Sequence, residues 1–295
     1  MDFTGFLGND AVKARLSGAF ASGRVAHSYL LCGPAGSGKH TLTRILSAAM
    51  QCEGRSGKIP CGVCSGCRKA LEGVHPDIIT VDDPDHKAMT VDPIRAARSD
   101  MFIRPNEGKR KIYIIPRGQD MNESAQNALL KTIEEPPAYA VVMLLADNPD
   151  ALLPTISSRC VQLNLKPVGD QLVKDYLMNE MHVPDYQAEV DASLAQGNIG
   201  KAERIARSPE YEETLESALR MAKYADSMPL YEIVETIKKL TAEKDNIDDY
   251  FDIFSLWFRD VLLFKATKEV DSLVFKQELN GIRERAHKSS YEGLE

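Results

Sequence analysis

The chain has 295 residues, 43% of them hydrophobic, which is enough for two or three compact bodies with cores of their own. No apolar run reaches the about 18 residues of a membrane span and the opening segment lacks the order of a secretory signal, so a cytoplasmic protein without membrane contact is expected. The net charge of −7 is uneven, with 24 acidic and 23 basic side chains in residues 1–205 against 19 and 13 in 206–295; no strong basic field exists for tight autonomous DNA binding, and any DNA contact is expected to be shared with partners.

Aliphatic runs at 28–32, 78–81, 111–115, 141–145 and 161–165 read as buried strands. Helical patterns lie between them, notably 39–50 and 123–135, the latter with Ala125, Leu129 and Ile133 on one face and Pro136-Pro137 as its stop. Strands alternating with helices predict an α/β fold with a parallel sheet.

Directly after the first strand stands Gly33-Pro34-Ala35-Gly36-Ser37-Gly38-Lys39-His40-Thr41, opening a helix in the strand, loop, helix context of a P-loop. Gly33, Gly36 and Gly38 would let backbone N–H groups close around a phosphate, and Lys39 would reach its outer oxygens. His40 replaces the hydroxyl residue that normally ligates Mg²⁺, and Thr41 lies about 100° further round the helix, so Mg²⁺ binding is not expected. ATP or ADP binding and a loop kept only as a folding turn are both open.

Four of the six cysteines, Cys52, Cys61, Cys64 and Cys67, fall within 16 residues, whereas Cys32 and Cys160 stand alone. The spacing suits a closed structural Zn²⁺ site, with an iron–sulfur cluster or unligated thiols as alternatives. His75 is expected to be a turn residue before the next strand. Lys109, Arg110 and Lys111 read as a solvated turn, with DNA contact as the alternative.

The third strand should end in the Walker B carboxylates that hydrolytic P-loop proteins need, but the residues there are Pro116 and Arg117. Asp120 lies beyond the strand and reads as a turn or cap residue. Useful ATP hydrolysis by this chain is therefore not expected. After Lys166-Pro167 strand signals cease, and Gly197, Pro209 and Pro229 punctuate a helical remainder that includes a long pattern at 247–267. The expected division is a P-loop domain at 1–166 holding the cysteine module at about 50–70, a helical lid at 167–207 and an all-α domain at 208–295.

The segment 124–137, SAQNALLKTIEEPP, followed by Leu153-Pro154-Thr155-Ile156-Ser157-Ser158-Arg159-Cys160, resembles the clamp-loader branch of the AAA+ family. The P-loop, the four-cysteine insert and His27-Ser28-Tyr29-Leu30 occur in the matching order. Within that family the chain is similar to the delta-prime type of bacterial DNA polymerase III, which keeps the fold and loses the ATPase chemistry. Gly200, before Lys201, stands where an active subunit would carry a sensor arginine. The resemblance implies that Arg159 is an arginine finger projecting into a neighbour's ATP site, and that the last domain is a collar joining five subunits in a hetero-pentameric ring. Gamma/tau and delta subunits would be its neighbours, and the ring would load the sliding clamp onto primed DNA. Cys160 reads as a small buried residue, and the aromatic helix around Trp257 as bundle core or collar contact. An ATP-hydrolysing gamma/tau-like subunit is the rival; a small-molecule P-loop kinase would leave the cysteine insert and the 157–160 motif without a purpose.

Overall fold

The computed structural model describes residues 1–54, 57–84, 88–224, 228–229, 231, 234–235, 238 and 247–293. They fall into two compact units, Met1–Val168 and Gly169–Glu295.

The first unit is a five-stranded parallel sheet of β1 Ser28–Cys32, β2 Ile78–Thr80, β3 Lys111–Ile115, β4 Ala140–Ala146 and β5 Val161–Asn164, ordered β2-β3-β4-β1-β5. Successive side chains of a strand point to opposite faces, so each central strand feeds two cores. Leu30 and Cys32 of β1 join Val142 and Leu144 of β4 on one face; Tyr29 and Leu31 join Met143 and Leu145 on the other. The helices α1 Asp10–Ala21, α2 Lys39–Met50, α3 Ser65–Glu72, α4 Val91–Met101, α5 Glu123–Glu134 and α6 Pro154–Ser157 complete the unit. The first core takes Ile94 and Met101 from α4 and Ala125, Leu129 and Ile133 from α5; the second takes Leu16 from α1 and Leu42 and Leu46 from α2. Asn122 caps α5, its side-chain oxygen accepting the Ala125 N–H at 2.8 Å.

Every residue of β1 and β4 is buried, as the aliphatic runs imply, but β2 and β5 are edge strands and only partly so. An apolar run does not tell a central strand from an edge one. Lys111 corrects the reading of 109–111 as a solvated turn. It is buried, with Nζ 2.8 Å from Asp100 Oδ2 and donating to the backbone oxygens of Asp100 at 2.9 Å and Ile103 at 3.3 Å. The sheet order places β1 between β4 and β5, neither of them its successor in the chain. The carboxyl end of β1 is therefore a topological switch point, where open α/β sheets hold ligands.

The second unit is helical: α7 Asp170–Met181, α8 Asp185–Ala195, α9 Ile199–Arg207, α10 Pro209–Tyr224, α11 Ile247–Thr267 and α12 Leu279–Lys288. Gly197 takes a left-handed φ of 77° between α8 and α9, and Pro209 opens α10, where its missing N–H costs nothing. Trp257 of α11 is fully buried and meets Phe258 edge-on at 5.2 Å, while Phe251 on the same helix is exposed. The helix is thus core along one stripe and open along another. Asp260 is wholly buried, its Oδ2 accepting the N–H groups of Val274 and Phe275 at 2.8 Å each. Asp191 of α8 and Tyr211 of α10 line a cavity of about 370 Å³, and both are buried with a side-chain oxygen that has no hydrogen-bond partner among the described residues. Among the described residues no helix is long and apolar enough to cross a membrane.

Candidate functional site

The P-loop leaves β1 at the switch point, where the N–H of Gly33 is bonded to the Ala146 oxygen at the end of β4. Gly36 and Gly38 have φ of 81° and 91°, left-handed values that side chains resist. Gly38 has a second reason to be glycine, because a Cβ there would lie 3.1 Å from the buried Phe6 ring. It also starts α2 without a side-chain cap, so the first-turn N–H groups keep the orientation that suits an anion.

Lys39 does not reach outward from this loop. It is buried, and its ammonium donates to the backbone oxygens of Gly33 and, at 3.0 Å, Pro34, and to Oδ1 of Asp147 at 2.6 Å. An ammonium has three N–H donors, and all three are engaged. His40 is mostly exposed; partial desolvation of its ring, then the nearby Lys39 charge, push its pKa below the ordinary value. A neutral imidazole there offers no hard oxygen for Mg²⁺.

At the end of β3, Arg117 turns to the end of β2. Its Nε and Nη2 donate to Asp82 Oδ1 at 2.9 and 2.7 Å, and Nη2 also donates to the Asp83 backbone oxygen at 2.6 Å. The hydrogen bond to Asp82 raises the pKa of the guanidinium above its ordinary value. The position that would hold a metal-binding carboxylate is filled by a fixed cation. Asp120 lies in a 3-10 turn, Gly118–Asp120, 3.8 Å from Arg117. These residues do not fit a Mg²⁺–nucleotide; the loop backbone alone retains a phosphate-binding shape.

The cysteine module runs from the end of α2 into α3, with Cys64 capping α3 and Cys67 in its first turn. The Sγ atoms of Cys52, Cys61, Cys64 and Cys67 all lie within 4.8 Å of one another. Backbone N–H groups point at three of the sulfurs: Gly54 to Cys52 at 3.3 Å, Cys64 to Cys61 at 3.4 Å and Cys67 to Cys64 at 3.4 Å. The Cys64 and Val63 N–H groups bring Cys61 down to about 6, whereas burial raises Cys67. Four convergent sulfurs with N–H donors aimed at them fit a tetrahedral thiolate-bound metal. Gln51 clips the module to the segment before β3, accepting the Lys109 N–H at 3.1 Å and donating to the Arg110 oxygen at 2.7 Å.

Arg159 follows α6 and is exposed, with Nη2 3.1 Å from Glu134 Oε1 and Nη1 donating to the Thr155 oxygen at 3.1 Å. The motif thus presents a guanidinium on the surface, held by an ion pair that solvent weakens. Burial raises Cys160 to about 12, which leaves it an inert thiol. In the second unit, Lys201 pairs with Asp252, and Arg204 makes a two-pronged bond to Asp249 at 2.6 and 2.7 Å. Lys201 is therefore committed to α11.

Three contributors escape a reading of the sequence. Asp147 and Asp82 meet their partners across 108 and 35 residues, and no local motif marks them. Asp77, in the His75-Pro76-Asp77 turn, accepts from the N–H groups of Asn106, Glu107 and Gly108 at 2.6, 2.9 and 2.7 Å, while its own N–H donates to His75 Nδ1 at 3.1 Å.

Residues 8–169 match the family described as DNA polymerase III, delta subunit. The delta' subunit of Bacillus subtilis is 28% identical over 275 residues, covering 92% of this chain and 82% of that protein. The delta' subunit of Pseudomonas aeruginosa is 36% identical over 165 residues, 56% of this chain and 50% of that one. The tau subunit of Salmonella typhimurium is 33% identical over 184 residues, 61% of this chain; the match spans only 28% of that longer protein. With the family matched along more than half its length and a delta' relative along nearly all of it, the chain belongs to the DNA polymerase III delta subunit family, as a delta'-like clamp-loader subunit.

Proposed function

We propose that the chain is the non-hydrolysing stator of its clamp loader: it assembles with ATPase subunits and offers Arg159 to the ATP site of a neighbour. The observation that carries this reading is the contrast between two arginines. Arg117 is bound by Asp82 where a hydrolytic subunit needs carboxylates, and Arg159 stands exposed on a surface ion pair that a stronger anion can displace. A guanidinium supplied in trans stabilises charge that develops on the transferred phosphoryl group, an effect of roughly 10³ to 10⁵ in GTPases. Residues 1–166 are an AAA+ P-loop domain, 167–207 a lid and 208–295 a collar. Cys52, Cys61, Cys64 and Cys67 hold a structural Zn²⁺. Gamma/tau and delta subunits flank the chain in a hetero-pentameric ring, which places the sliding clamp on primed DNA in the cytoplasm.

The test is steady-state ATP turnover by the reconstituted loader with clamp and primed DNA, comparing the intact subunit with Arg159→Ala and running the subunit alone. The stator reading expects silence from the subunit alone and slower turnover by an Arg159→Ala loader that still assembles. Turnover by the isolated subunit would favour the gamma/tau-like reading, to which the identity with tau subunits lends some support. An unchanged rate with Arg159→Ala would remove the finger.

A further inference from the structure

Asp147 is the first residue after β4, in a stretch the sheet and the following turn hold in place. Ala146 beside it bonds the first residue of the P-loop, and Asn148 after it caps the turn Pro149–Ala151, accepting the Asp150 N–H at 2.9 Å. The carboxylate thus stands over the loop, 2.6 Å from the Lys39 ammonium, on a backbone that does not depend on that contact. Lys39 has little exposure, and its other two donors go to the loop's own carbonyls.

We infer that Asp147 is a tethered anion that takes the place of a nucleotide phosphate at Lys39, and is the residue that determines whether this loop accepts phosphate ligands. The inference rests on the reading of the loop as one that has lost turnover, and adds a cause acting at binding. A phosphate approaching Lys39 meets a carboxylate already bonded to the only cation the loop offers. It has to displace that carboxylate or lie beside it, and like charges at contact distance repel. His40 provides no compensating Mg²⁺ ligand, so the exclusion holds with or without the metal. An amide at 147 keeps the side chain's shape and one acceptor oxygen while removing the charge.

The test is calorimetric titration of the full-length chain with ATP and with ADP, each with and without Mg²⁺, using wild type, Asp147→Asn, Asp147→Ala and the double variant Asp147→Asn/Lys39→Ala. Melting curves establish that each variant is folded. Asp147→Asn and Asp147→Ala should both bind at least tenfold more tightly than wild type, by a similar factor with or without Mg²⁺, and the double variant should lose the gain. Affinities within twofold of wild type in both single variants refute the inference, as does a gain that survives loss of Lys39. The assay needs no neighbour, so it is separate from the loader experiment. Tighter binding here with no effect of Arg159→Ala there would leave the tethered anion standing and the finger refuted.

Discussion

Replacing Asp191 by Asn should stabilise the second unit, by an amount that grows as pH rises from the carboxyl's ordinary pKa to its folded one and is complete above it. Asp191 is buried, one of its oxygens has no hydrogen-bond partner among the described residues, and burial, with a smaller contribution from the Glu212 charge, raises its carboxyl to about 6 from the ordinary 3.8. Between those values the folded chain holds a proton that the unfolded chain has released, so stability falls as pH rises through that window and stays lower above it. At about 1.4 kcal/mol per pH unit, the separation corresponds to roughly 3 kcal/mol at pH 8. Asn resembles the protonated acid in shape and carries no charge. The variant should therefore match wild type near pH 4 and exceed it by up to about 3 kcal/mol at pH 8. Trp257, the single tryptophan, is buried in this unit and makes its fluorescence a local reporter of urea unfolding. A difference below about 0.5 kcal/mol at pH 8, within the scatter of ordinary surface substitutions, would mean that the cavity solvates the carboxylate and the reasoning fails.

Asp77→Ala should act in the opposite direction. It leaves three backbone N–H groups of a partly exposed turn without their acceptor, at about 1 kcal/mol for each bond lost, so a loss of roughly 2–3 kcal/mol in urea unfolding of the first unit is expected, and a loss under about 0.5 kcal/mol contradicts it. Burial pushes the Asp77 carboxyl up, but the three N–H bonds outweigh it and the folded value lies below the ordinary 3.8. Its contribution should therefore persist at pH 5 and fade only as pH falls below about 4, which a pH series against Asp77→Asn would follow. For the cysteine module, elemental analysis should find one Zn²⁺ per chain. Chelation should abolish hydrogen-exchange protection in α3 while leaving β1 and β4 protected, because a metal bound by the four sulfurs would hold the module whereas the sheet has its own core. A metal-free chain with α3 fully protected would remove the structural role.

Much of the first unit is legible in the sequence because its signals are local. Five aliphatic runs, glycines at loop positions and cysteines at short spacings each report a constraint carried by neighbouring residues. The long-range polar partners are not legible in this way. Lys39 in a glycine-rich loop reads as a phosphate ligand, and only the fold brings Asp147 to it. Lys111 reads as one of three surface cations until α4 delivers Asp100 against it. Edge and central strands look alike because aliphatic content records β-propensity and not the number of neighbours. In the helical unit, the 247–267 pattern reads correctly as one helix, but Phe251 and Trp257 belong to opposite environments that its apolar richness does not separate.

The two ion pairs from α9 to α11 have a mechanical consequence. Lys201 to Asp252 and Arg204 to Asp249 join helices separated by about fifty residues of chain, and the second pair is bidentate on a buried carboxylate. A relative rotation of α9 against α11 would strip that carboxylate of its partner and leave a buried charge uncompensated. Compliance between α9 and α11 is therefore low. A torque applied to α11 is thus passed to α9 through two ion pairs as well as through packing.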